Sequence, residues 1–183
     1  MPATNTGKGQ RRSLLAYLLA TAAVAAVIAV IAGGAFALGQ RSGGEDGLKA
    51  RQEDVAERGA LVMPFDLEAT THVFTRTDEG GVQTVVSDDA SDQEQIALIR
   101  GHLRDEVAAF KTGDFGDPAT IHGHEMPGLA TLEDSSGKLT ITYRDTPAGG
   151  EVTYRSADSV VVQALHDWFE AQLMDHGDDA ESG

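Results

Sequence analysis

Residues 121–128 read IHGHEMPG and set two imidazoles and a thioether, His122, His124 and Met126, at alternate positions. In an extended segment, side chains two apart point the same way. His-x-His-x-Met is then a clamp for a transition metal. Imidazole with thioether and no thiolate suits copper over structural zinc, because a soft donor selects Cu(I) and imidazole accepts either copper state. Ligands from one loop hold an ion poorly, so a remote imidazole is needed. His166 and His102, each on the border of an amphipathic helix, are the expected sources, with His72 beside the first strand as a third. A blander reading stands beside this one. In it His72 only hydrogen-bonds within its strand, nearby acids satisfy His102 and His166, Met126 packs, and His176 caps the negative end of its helix.

Other chemistries lack their signatures. The chain has no cysteine, which excludes disulfides and thiolate metal sites. There is no nucleophile turn of the G-x-S-x-G kind, no G-x-G-x-x-G, no phosphate loop and no H-E-x-x-H. Asp114 and Asp117 flank Gly116, but too few ligands stand at fixed offsets for a calcium loop. Haem lacks its C-x-x-C-H attachment and an aromatic lining, aromatic residues being 5% of the chain. A net charge of −15 repels nucleic acid and favours cations. The expectation is a non-enzymatic, metal-binding domain with a copper ion and no nucleotide. Its alternative is an interaction module binding a protein or small ligand, without metal, on a polar and aromatic sheet face.

The elements that must position these residues are legible as periods. HVFTRT, a turn at residues 78–81 and VQTVVSD predict a β-hairpin. Ser91 to Glu94 has capping-box spacing. Ile96, Ile99, Leu103, Val107 and Phe110 then fall within about 80° of arc on a helix over 92–111. LTITYRD, a turn at 147–150 and EVTYRS predict a second hairpin, followed by a helix over 158–176 with Gly177 at its end. Both hairpins carry Gly-Gly at the tip. The fold class is therefore α+β: two ββα units forming a pseudo-repeat, a four-stranded antiparallel sheet, and two helices on one face. Residues 111–128 form a long connector that packs down and carries function.

Residues 13–40 contain no charge, and at about 1.5 Å per helical residue they outspan a hydrocarbon core of roughly 30 Å. They predict an N-terminal transmembrane helix after a basic cytoplasmic tail, 1–12, with Lys8, Arg11 and Arg12 inside and the domain outside the cell membrane. Cleavage after Ala37 would instead release the chain as a secreted protein. A polar stalk over 41–60, a domain over 61–177 and an acidic tail over 178–183 complete the layout.

MPFDLEATTHVF, GGVQTVV, QIALIRGHLRDE, GDFGDPATIHGHEMPGL and ALHDWFEAQLMDHG together resemble a group of small exported bacterial proteins across residues 60–177. Some of that group bear the label aspartate carbamoyltransferase. The resemblance makes His122, Met126, His166 and His176 hallmark positions and leaves His124 outside the pattern. The label itself does not suit this chain. A carbamoyltransferase catalytic chain is about twice as long and binds phosphate with a Ser-Thr-Arg-Thr type turn at a helix N-terminus. Here Thr75-Arg76-Thr77 belongs to a strand, and the four zinc-binding cysteines of that enzyme's regulatory chain are missing.

Overall fold

Thr70, His72 and Phe74 turn inward along β1 (Thr70–Thr77), while Thr71, Val73 and Thr75 face outward. One side of the sheet thus needs cover and the other tolerates water. The structure, a computed structural model, describes residues 44–183, of which Leu48–Gly183 form one unit. The tail and apolar span expected over 1–40 lie outside the described residues. Among the described residues no helix is long and apolar enough to cross a membrane.

β1 pairs antiparallel with β2 (Gly80–Ser87) through a two-residue loop, Asp78-Glu79, and β3 (Thr140–Thr146) pairs with β4 (Gly149–Arg155) through Pro147-Ala148. The two hairpins join by antiparallel pairing of β2 with β4, Gly80 opposite Arg155 through Val86 opposite Gly149. The sheet has five strands, not the expected four. β5 (Ala180–Ser182), in the segment read as an acidic tail, pairs in parallel with β1, giving the order β3-β4-β2-β1-β5. The outward face is polar, as expected, but not aromatic. Tyr143 packs against the core and Tyr154 lies within it.

α2 (Gln93–Phe110) begins at Asp92, whose carboxylate accepts from the Gln95 backbone, so the cap is one residue later than Ser91. All five of its predicted apolar residues are buried. α5 (Ser159–His176) is capped by Asp158 and ends at Gly177 with φ +58°, as expected. Both helices cover one face, but crosswise. α2 lies over β4 and β3 of the second hairpin, and α5 over β2 and β1 of the first.

The Gly-Gly pairs serve this crossing. They open β2 and β4 just beyond the loops. The first glycine of each pair meets the other hairpin's backbone: a Cβ on Gly80 would stand 2.2 Å from the Tyr154 carbonyl, and one on Gly149 would stand 2.0 Å from that of Val85. The second admits a helix side chain, Phe169 of α5 over Gly81 and Leu103 of α2 over Gly150. An aromatic cluster fills the middle, with Phe110 and Phe115 stacked at 4.3 Å and Trp168 edge-on to both.

The connector is partly helical. α3 (Gly116–His122) places Pro118 in its first turn, where a missing N–H leaves no intrahelical bond unmade, and α4 (Leu129–Glu133) packs on α5. Ahead of β1, α1 covers residues 44–62. The polar stalk expected there is, from Leu48, built into the unit: Val55 is 1% exposed, and Gln52 Nε2 donates to the Met174 carbonyl at 2.8 Å.

Gly149→Ala is expected to lower stability by about 2–4 kcal/mol, because the clash is with backbone. Gly101→Ala, in α2 with nothing within 4 Å of the new methyl, is expected to raise it by about 0.5–1 kcal/mol. Urea denaturation of the two variants checks both signs.

Candidate functional site

Strand alternation drives His72 under the helices, α3 ends on His122, and α5 ends on His176. The three imidazoles meet at one end of the core. His72 and His176 stack at 5.1 Å between ring centres, and His122 stands edge-on to His176, also at 5.1 Å. His72 and His122 are 4% and 5% exposed.

Asp175 anchors this end. Its carboxylate, with a side chain 2% exposed, accepts from His122 Nδ1 at 2.9 Å and from Arg51 Nε and Nη2 at 2.5 and 2.7 Å. Arg51 Nη2 also reaches the His122 carbonyl at 3.3 Å. Burial works against the charge on Asp175, but the bonds from His122 and Arg51 outweigh it and hold the carboxyl below its usual range. An ionised carboxylate only accepts, so the His122 proton sits on Nδ1 and Nε2 keeps its lone pair.

Beside these rings lies a cavity of about 40 Å³, walled in part by His72, His122, His176, Glu106, Trp168 and Gln172. A larger cleft of about 250 Å³ runs beneath α1, lined by Gln52, Val55, Ala56 and Leu67 and sharing His72 and His176 with the cavity. Three buried side-chain atoms of the cavity's walls have no hydrogen-bond partner: His72 Nδ1, Trp168 Nε1 and Gln172 Oε1.

On the far side of Glu106 a second group forms. His102 and Glu106 are one turn apart on α2, and Asp117 stands in the first turn of α3. One ligand atom from each lies within 4.8 Å of the other two. Burial first, then the hydrogen bond with Asp117, pushes the Glu106 carboxyl up to about 8. Burial lowers His102 despite the pull of Asp117 and Asp105. Burial takes His72 down to about 4, with His102 and His122 adding to it, and it holds His176 well below its ordinary value.

The residues expected to converge are divided. His122 and His102 belong to these two groups. His166 does not: its Nε2 donates to the Thr77 and Gly80 carbonyls at 3.1 and 2.8 Å, tying α5 to the tip of the first hairpin. Thr77 lies five strand positions beyond His72, roughly 16 Å away at about 3.3 Å per residue. Met126 is 5% exposed within the hydrophobic core. His124 is exposed, because α3 ends at His122 and Gly123, with φ +93°, turns the chain. The segment is therefore not extended, and the two imidazoles do not point together.

Glu106, Asp117, Asp175 and Arg51 were not singled out as partners of these histidines. Glu106 is legible in retrospect as the residue one turn after His102 on the same helix. His176, expected to cap, is buried and stacked. His72, expected to hydrogen-bond in its strand, leaves Nδ1 unpaired.

Opposed shifts predict a stability maximum. His72 and His176 take up protons more readily unfolded, so their contribution is whole above about 6.5 and is lost as pH falls toward 4. Glu106 keeps its proton to about 8 when folded but only to about 4.5 when unfolded, so its contribution fades as pH rises through that window. Denaturation in chelator is expected to show the maximum near pH 6.5. Glu106→Gln should raise stability at alkaline pH by on the order of 3 kcal/mol and leave the acid side falling. A comparison of the chain with protein-family models, with curated proteins and with solved structures finds no match in any of the three.

Proposed function

We propose that this chain is a non-enzymatic metal-binding domain, taking a divalent first-row transition ion at His102, Glu106 and Asp117. The observation that carries the reading is the approach of an imidazole and two carboxylates to within 4.8 Å, one of them Glu106, half-buried with no cationic partner. Without an ion, Glu106 holds a proton to about 8. A divalent cation replaces that proton and removes the repulsion from Asp117, Asp114 and Asp105.

One nitrogen with two carboxylate oxygens is a borderline-to-hard donor set. It suits Zn²⁺, Mn²⁺, Fe²⁺ or Cu²⁺ and disfavours Cu⁺. The case for Cu(I) rested on the Met126 thioether, which is enclosed in the core, so copper enters this reading as Cu²⁺. A net charge of −15 concentrates cations near the domain. The apolar run over 13–40 serves in this reading as its tether at the outer face of the cell membrane.

Calorimetric titration of the full chain with Zn²⁺, Mn²⁺, Cu²⁺ and Cu⁺ tests the proposal. Binding of at least one divalent ion is expected, stronger at alkaline pH and with proton release. Glu106→Gln and Asp117→Asn should each weaken it at least about 100-fold, while Met126→Leu leaves it unchanged. Divalent binding indifferent to both carboxylate variants would refute the assignment.

A further inference from the structure

The cavity between the three histidines and Trp168 has polar walls that the metal reading does not use. At about 40 Å³ it holds roughly three water-sized volumes, the bulk of a three- or four-atom polar group. Its size excludes a ring or a long chain. The cleft beneath α1 is larger, at about 250 Å³, and Val55, Ala56 and Leu67 give it an aliphatic lining. His72 and His176 wall both spaces. A ligand can therefore set a small polar head inside and an aliphatic remainder under α1.

The unpaired atoms define the head. Trp168 Nε1 only donates and Gln172 Oε1 only accepts, while His72 Nδ1 accepts when its proton is on Nε2. The complement is one acceptor oxygen and two N–H groups. A carboxylate brings acceptors alone and a buried charge, and Arg51 is already engaged by Asp175. An ammonium brings donors alone and leaves the indole N–H unpaired. A primary amide brings both on three heavy atoms and stays neutral.

We propose that cavity and cleft form one binding site for a small aliphatic primary carboxamide, its carbonyl accepting from Trp168 Nε1 and its two N–H groups donating to Gln172 Oε1 and His72 Nδ1. The side chains of Val55, Ala56 and Leu67 enclose the alkyl part. The site works without an ion and does not depend on the metal reading.

The chain has one tryptophan, so its indole N–H is a single resonance and a direct probe. Butyramide, butyrate and butylamine are titrated into the full chain up to roughly 100 mM, following that resonance. Butyramide is expected to shift it saturably, with a dissociation constant on the order of 1–10 mM. The two charged isosteres should not. Gln172→Leu should weaken butyramide about tenfold. Because Gln172 is buried and that variant can misfold, Ala56→Phe, at an exposed position of α1, fills the cleft instead and should abolish saturation while zinc affinity is unchanged. An indole resonance indifferent to butyramide, as for a cavity holding only water, would overturn the proposal. So would equal responses to all three probes, or saturation that survives Ala56→Phe.

Discussion

The antiparallel seam between β2 and β4 is the constraint on which everything else rests. Two hairpins alone would each expose an apolar face and an unpaired edge, and neither would be stable. Joined along Gly80–Val86 and Gly149–Arg155 they make one continuous surface, and the glycines at the seam let it close without a side chain in the way. Only then is there a floor wide enough for α2 and α5 to lie side by side. The histidine end and the carboxylate end of the core both form where those helices meet that floor.

Burying so many titratable groups is costly unless each is paired or neutral. The protein uses both solutions. Asp175 stays ionised because two guanidinium bonds and an imidazole surround it, and in return it orients His122 and ties α1, α3 and α5 together. His72 and His176 instead stay neutral, and Glu106 keeps its proton. The interior is thus polar without carrying much net charge, and its remaining unpaired donors and acceptors lie where there is space for something to meet them.

Much of this was legible in the sequence, and the failures share a cause. Periodicity identified both hairpins and both long helices, because it reports which face of an element is apolar. It does not say which hairpin a helix covers, so the crossing of α2 and α5 left no trace. Nor does it reach short elements. Ala180–Ser182 adds a strand through backbone pairing alone, and α3 is hidden because glycine and proline read as breakers when they in fact begin a helix. That error misplaced His122 and His124, whose pairing assumed an extended chain. Arg51 and Asp175 were invisible for another reason. They lie 124 residues apart, and one more aspartate in a chain with 29 acidic residues attracts no notice.

The crosswise placement of the helices bears on how the chain can be divided. A cut in the connector between α4 and β3 would yield two pieces, each holding a bare hairpin and a helix shaped for the other piece. Neither half contains its own cover, so separated halves would gain most of their buried surface only on meeting. The domain is in this sense built as a complementing pair that happens to be synthesised as one polypeptide.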